Sequence, residues 1–354
     1  MKIINANHYS IYSGGDCFSE LDELLSVNRY SKVFVLVDEN ITKHCLKFIR
    51  SFLQSPHIIL IRSGEKNKTL RTCEKIWKEL SKLNADRKSL LINLGGGVIT
   101  DIGGFCASAF KRGIDFINIS TTLLSQVDAS VGGKTGIDFL GYKNQIGTFT
   151  FPKAVFIYSD FLKTLTKREL ISGFAEVIKH GLIADKNYWQ KIVSSSSALP
   201  LKEKGDEIIF HSIQIKNGIV AADPYENGIR KMLNFGHTIG HAIESASLKT
   251  KKPLLHGEAI AIGMICEAYL SRKILGLKSE ELDEITSFIV SIFHPKPLKI
   301  SAKQLITLMK QDKKNKDAEI NFTLLSSIGK AEINNSCEED IVEEALNFFN
   351  TLCS

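Results

Sequence analysis
The sequence predicts an α/β N-terminal domain with a parallel sheet, followed by an all-α domain. Three observations carry that reading. Short β-branched or apolar runs recur at residues 33–37, 58–61, 90–94, 116–119 and 155–158, and several are apolar almost throughout. Strands covered on both faces of a sheet look like this. Helical patterns such as 70–83 lie between them, which is the βαβ alternation of a nucleotide-binding sheet. After Asp160 the texture changes: strand-like runs nearly vanish, and long amphipathic segments occupy 167–192, 204–220, 234–247 and 256–274. The boundary is therefore placed near residue 160, with an α/β domain over 1–160 and a helical domain over 161–354. Ser194 to Ser197 reads as a loop.

Composition bounds the function. A chain of 354 residues with 44% hydrophobic and 24% charged residues can bury two ordinary cores. The net charge of +6 is mild and its basic residues are scattered. That argues against a nucleic-acid stripe and suits a site for small anions. Cys17, Cys45, Cys73, Cys106, Cys266, Cys337 and Cys353 form no CxxC, and an odd, dispersed set reads as free thiols in a reducing compartment. No signal-peptide pattern or membrane-length apolar run is present, so a cytosolic location is expected.

The stretch Asn234-Phe235-Gly236-His237-Thr238-Ile239-Gly240-His241, followed by His256-Gly257-Glu258, carries the most chemistry. Imidazoles four apart on a helix lie on one face and can reach one bound group. Spacing alone therefore nominates His237 and His241 as a ligand pair. His256 opens the next apolar helix, and Glu176 is a carboxylate among apolar residues with Lys179 one turn on. Three nitrogen or oxygen ligands with an open position make a catalytic zinc-type site. A single histidine in such a helix is more often an ordinary core residue; three together with Glu176 are not.

On the cofactor side, Gly95, Gly96 and Gly97 end a strand and open a helix that contains Asp101. Glycines there let the backbone approach a pyrophosphate at a helix N-terminus. A triple glycine alone is equally a structural turn. Asp38 also ends a strand and reads either as a ribose ligand or as a helix N-cap. The loop holding Glu65 and Lys68 is either a solvated turn or a polar cover over the cofactor. The segment 131–136 superficially resembles a P-loop, but Asp128 stands where GxxxxGK[ST] needs glycine, so a Walker A reading fails. Lys134, Lys143, Asn144 and Arg112 suit a phosphate or carboxylate.

Taken in order along nearly the whole chain, these motifs resemble the 3-dehydroquinate synthase family, the second enzyme of the shikimate pathway. The match includes 64–68, 95–101, Ala109-Phe110-Lys111-Arg112-Gly113, 121–134, Lys143-Asn144, Glu176-Val177-Ile178-Lys179, 223–241, His256-Gly257-Glu258-Ala259 and Asp312-Lys313-Lys314-Asn315. The resemblance implies an NAD-binding first domain, a helical second domain with zinc or cobalt, and a homodimer. It implies Glu176, His237 and His256 as metal ligands, and moves His241 to the substrate side. Lys179, Lys216, Arg230, Asn234, His241 and Lys314 would surround the substrate, with Lys134, Asn144 and Arg112 at its phosphate. Arg112 would be donated across the dimer. Asp128 would line the substrate, as would Glu226 the substrate or cofactor. Asp38, Glu65, Lys68, Gly95, Gly96, Gly97, Asp101, Thr121, Thr122, Lys143 and Thr164 would contact the cofactor. Gln145-Ile146-Gly147-Thr148 and Ala318 depart from the commoner pattern without replacing a chemical group.

The implied reaction turns 3-deoxy-D-arabino-heptulosonate 7-phosphate into 3-dehydroquinate and phosphate. It runs by transient oxidation with NAD, β-elimination, reduction and intramolecular aldol closure. The alternatives are a related sugar-phosphate cyclase acting on sedoheptulose 7-phosphate or glucose 6-phosphate, a metal-dependent alcohol dehydrogenase, or a catalytically dead binding protein. The first lacks a substrate carboxylate, the second shows net redox turnover, and the third requires a lost site residue.

Overall fold
A computed structural model describes residues 1–140, 142–194, 201–248, 250–310 and 320–354, with backbone alone over 201–204. Ser195 to Ser197 of the expected loop, the whole Asp312 to Asn315 motif with Lys314, and Ala318 lie outside the described residues. The chain divides into two compact units, Met1–Thr166 and Lys167–Ser354.

The first unit contains strands β1 (Lys2–Asn5), β2 (Ser10–Ser13), β3 (Val33–Asp38), β4 (His57–Ile61), β5 (Leu90–Gly95), β6 (Asp115–Ser120), β7 (Lys134–Phe139), β8 (Tyr142–Phe149) and β9 (Ala154–Ile157). Its helices are α1 (Cys17–Asn28), α2 (Glu39–His44), α3 (Leu70–Lys82) and α4 (Gly97–Ala109). Seven strands form one sheet in the order β1-β2-β9-β6-β5-β3-β4, parallel except for the β1 edge. Alternate side chains leave on opposite faces. Val35, Ile92 and Ile117 therefore enter one core with Phe18 and Leu21 of α1. Phe34, Leu91 and Phe116 enter the other with Ile76 of α3 and Ile102 of α4. The all-apolar runs follow from this double cover. All five runs that the sequence marks as strands lie in this sheet; the β1–β2 pair and the β7–β8 hairpin carry no comparable apolar trace. The chain passes from β4 to β5 across β3, so the strand order reverses between β3 and β5.

The second unit contains α5 (Lys167–Ala184), α6 (Lys186–Val193), α7 (Leu201–Ala222), α8 (His237–Ser247), α9 (His256–Leu275), α10 (Ser279–Phe293), α11 (Ala302–Lys310) and α12 (Glu339–Leu352). Helix α9 is apolar nearly all round and packs against α5, α8, α10 and α12. Three expectations need correction. The unit is not all-α, because β10 (Asn321–Ser327) and β11 (Lys330–Ser336) form a hairpin turned at Gly329, with Phe322 and Leu324 fully buried. The expected helix 167–192 breaks at Asp185, whose extended backbone and side chain cap α6 by accepting from the Tyr188 amide at 2.9 Å. Residues 234–236 precede α8 rather than belong to it, since Gly236 adopts φ 79° at its N-cap. Among the described residues no helix is long and apolar enough to cross a membrane, and all seven cysteines are free.

Candidate active site
In the second unit, three helices bring their chemistry to one place. The Nε2 atoms of His237 (α8) and His256 (α9) lie 3.6 and 3.8 Å from the same oxygen, Oε1 of Glu176 on α5. Both Nδ1 atoms have acceptors of their own: the Phe235 carbonyl at 3.1 Å from His237, and Glu244 Oε2 at 3.2 Å from His256. With protons held at Nδ1, the Nε2 of each ring is the nitrogen available to a cation on the Glu176 side. His241 joins the cluster, with ring centroids 5.1 Å from His237 and 5.8 Å from His256. The three histidines can offer ligand atoms within 4.8 Å of one another. Two imidazoles, neutral once a cation displaces their Nε2 protons, and a buried carboxylate would be a donor set that suits a borderline-soft divalent cation. Burial alone would push the His256 imidazolium down, but Glu176 and Glu244 outweigh it and raise its pKa to about 9.

Several charged groups lie in this unit where charges are seldom found. Glu176 is fully buried and ion-paired with Lys179, itself 1% exposed. Lys216 on α7 and Arg230 are also buried. Arg230 sits in a 3-10 turn, Ile229–Asn234, where its guanidinium donates to the Pro224 carbonyl. Asp223 shapes that turn by accepting from the amides of Asn227, Gly228 and Arg230 at 3.0, 2.7 and 3.1 Å. Slight burial would raise the Asp223 carboxyl, but these amides hold it below the usual range. Asn234 donates to Glu226 Oε1 at 3.3 Å.

In the first unit, Asp38 and Gly95 end β3 and β5 at the strand-order reversal, where open α/β sheets bind ligands. Of its two readings, Asp38 takes the N-cap: Oδ1 accepts from the Ile41 amide at 2.9 Å. A Cβ on Gly96 would lie 2.9 Å from Thr122 Cγ2, so the helix entrance admits no side chain there. The Thr121 amide donates to the Gly95 carbonyl at 3.0 Å. The buried hydroxyls of Ser120 and Thr121 have no hydrogen-bond partner among the described residues. This arrangement fits a dinucleotide's phosphates. Lys68, 3% exposed, pairs with Asp101 and donates to Asn144 Oδ1. Burial pushes the Asp101 carboxyl up against the pull of Lys68. Burial would lower the Lys68 ammonium, but Asp101 and Glu65 hold it up. Lys143 lies 3.6 Å from Glu65. Asp128 lies in a π-turn, Ser125–Ala129, while Lys134 opens β7 on the surface. Thr164 spends its hydroxyl on the Phe161 carbonyl at 2.7 Å. Arg112 is exposed in a left-handed turn, with φ 51°, 69° and 114° at Lys111, Arg112 and Gly113.

Comparison with known proteins places this arrangement. A family model described as 3-dehydroquinate synthase N-terminal matches residues 58–172, and one described as 3-dehydroquinate synthase C-terminal matches 173–315. The chain belongs to the 3-dehydroquinate synthase family. The expected activity and enzyme class are thereby borne out. It is 43% identical over 337 residues to the 3-dehydroquinate synthase of Parabacteroides distasonis, covering 94% of this chain and 96% of that one. Identity to the 3-dehydroquinate synthase of Alkaliphilus oremlandii is 39% over 345 residues, covering 96% and 94%. Among solved structures, a 2-deoxy-scyllo-inosose synthase complexed with carbaglucose-6-phosphate, NAD+ and Co2+ superposes with a TM-score of 0.87 at 22% identity, covering 98% and 99%. A 2-epi-5-epi-valiolone synthase from Streptomyces hygroscopicus with NAD+ and Zn2+ bound gives 0.85 at 24%, covering 99% of each chain. Glycerol dehydrogenase from Schizosaccharomyces pombe is more distant, at 0.64 and 15%, covering 100% and 91%. The expected fold class, a parallel-sheet domain followed by a helical one, stands with them, the β10–β11 hairpin apart.

The motifs of this dehydroquinate synthase family member assign no role to the groups that hold the ligand candidates in place. Glu244 escaped notice although it lies one turn after His241 on the same helix face, a periodicity that marks it as a neighbour. Glu258 accepts a bidentate pair from Arg168, both contacts at 2.6 Å, and accepts from the Leu255 amide at 2.7 Å. That fixes the first turn of α9 beside α5. No local pattern links Arg168 to Glu258, which lie 90 residues apart.

Proposed function
We propose that this chain converts 3-deoxy-D-arabino-heptulosonate 7-phosphate to 3-dehydroquinate and phosphate, with NAD and a divalent metal, zinc or cobalt, as resident cofactors. The observation that carries the reading is the convergence of His237 Nε2 and His256 Nε2 on Glu176 Oε1 in a chain of this family. Glu176, His237 and His256 hold the metal, and His241 faces the substrate. A divalent cation supplies Lewis acidity toward the substrate's adjacent hydroxyls, while NAD supplies a hydride acceptor that is restored within the turnover.

The chain's own residues bind and orient. Lys179, Lys216, Arg230, Asn234 and His241 hold the hydroxyls and carboxylate; Lys179, Lys216 and Arg230 act from buried positions, where hydrogen bonds to charge are strong. Lys134, Asn144, Arg112 and Lys314 hold the phosphate, and Asp128 and Glu226 line the substrate. Asp38, Glu65, Lys68, Gly95, Gly96, Gly97, Asp101, Thr121, Thr122, Lys143 and Thr164 form the cofactor side. If the departing phosphate takes the neighbouring carbon's proton, no dedicated general base is needed. A residue set rich in lysine, arginine and asparagine suits that role, since catalysis then rests on positioning and charge. We place the enzyme in the cytosol as a homodimer, with the rigid turn at Arg112 presented to the partner's site.

The test is direct: purified protein, divalent metal, catalytic NAD+ and the heptulosonate phosphate, with phosphate release measured. Phosphate should appear well beyond one equivalent of NAD+, without net absorbance from NADH. Steady accumulation of NADH would reassign the chain to the dehydrogenases.

Arg230→Lys tests the carboxylate. A planar fork can bind it bidentately and a lysine cannot. Losing such a bond costs roughly 2–4 kcal/mol, or about 30- to 1000-fold in kcat/KM. Metal content and NAD+ affinity should stay near parental values. Parental efficiency in the variant would remove Arg230 from the carboxylate and favour a carboxylate-free sugar phosphate.

A further inference from the structure
The ligand candidate on α9 is oriented from α8. Glu244, 4% exposed, lies two turns after His237 and one turn after His241, and its Oε2 is 3.2 Å from His256 Nδ1. On the other side of the ring, His256 Nε2 lies 3.8 Å from Glu176 Oε1. The imidazole thus stands between two carboxylates, each at one nitrogen. A carboxylate can only accept, so Glu244 keeps a proton on Nδ1, and Nε2, on the side of Glu176, is the nitrogen left to give up its proton to a bound cation.

We propose that Glu244 is the positioning residue for the metal site: its carboxylate fixes the tautomer and ring orientation of His256 and raises the basicity of Nε2. The proposal rests on the reading of His256 as a metal ligand. His237 is held differently. Its Nδ1 faces a neutral carbonyl, that of Phe235, at 3.1 Å. A charged acceptor polarises the imidazole more strongly than a carbonyl does, so the two histidines are not equivalent ligands. Helix α8 supplies both His237 and the group that aims His256, which makes one helix responsible for two of the three ligand positions.

The experiment compares parent, Glu244→Gln, Glu244→Ala and His256→Ala as full-length proteins stripped of metal by chelator dialysis. The affinity for Zn2+ is read by competition with a chromophoric chelator, and the fold of each metal-free protein by circular dichroism and thermal melting. Groups that orient a ligand histidine are worth about 10- to 100-fold in metal affinity. Glu244→Ala should weaken Zn2+ by that factor while its metal-free circular dichroism stays parental. Glu244→Gln, which can still accept from Nδ1 but carries no charge, should fall between alanine and parent. A merely structural Glu244 would lower the melting temperature and leave the affinity of the folded protein alone. Parental Zn2+ affinity in Glu244→Ala, alongside loss in His256→Ala, overturns the proposal. Parental affinity in His256→Ala overturns the ligand reading beneath it. If the alanine variant does not fold, the near-isosteric glutamine variant decides: a several-fold loss supports the role of the charge, and parental affinity refutes it.

Discussion

His237→Ala should lose tightly bound metal, whereas His241→Ala should keep it. Although the two imidazoles are one turn apart with centroids at 5.1 Å, their surroundings differ. His237 is largely buried, its Nδ1 is held at the Phe235 carbonyl, and its Nε2 faces Glu176. His241 is half-buried on the next turn, and the proposed function gives it to the substrate rather than the metal. A Lewis acid contributes several kcal/mol to a polarised oxygen, so kcat/KM of His237→Ala should drop by about 1000-fold or more. Elemental analysis of the purified variants provides the check, followed by activity with excess Zn2+ or Co2+. Equal metal loss in both would enlist His241 as a ligand, the pairing that spacing alone suggests and that the grouping of the three histidines permits.

Gly257→Ala should be nearly as damaging, without touching any ligand. A Cβ there would stand 1.7 Å from the Ser172 carbonyl oxygen and 2.5 Å from its carbon. Backbone atoms in the middle of α5 cannot swing aside as a side-chain tip can. The Gly257 amide also donates to Ser172 Oγ at 3.0 Å. The first turn of α9 is thus pressed directly onto α5, one turn before Glu176, and His256 takes its place from that contact. Overpacking usually costs about 1–3 kcal/mol, and a clash with fixed backbone belongs at the upper end or beyond. The expected result is a loss of about 3 kcal/mol in denaturant unfolding of the metal-free protein, together with weakened metal binding. Gly218→Ala provides the control. Gly218 lies inside α7 with nothing within 4 Å of a Cβ, and alanine should be neutral or stabilise the helix by up to about 1 kcal/mol. Equal behaviour of the two variants would remove the close-approach argument.

By itself the sequence determined five of the seven strands of the main sheet and nominated the site. Strands buried on both faces leave continuous apolar runs, so 33–37, 90–94 and 116–119 announce themselves without knowledge of their neighbours. Helical spacing likewise places His237 and His241 on one face, and glycines at a strand end mark a place where backbone must come close. Tertiary structure decided what is paired with what. Glu176, His237 and His256 come from three helices, and Glu244 reaches His256 across a helix pair. Lys68 meets Asp101 from 33 residues away, and Arg168 meets Glu258 from 90. The β10–β11 hairpin and the break at Asp185 also lay beyond a reading based on segment texture. In each case the reason is the same. Periodicity reports which face of an element avoids water, a property of the element alone. Which donor meets which acceptor depends on how the elements cross, and that is set by close packing summed over the whole unit.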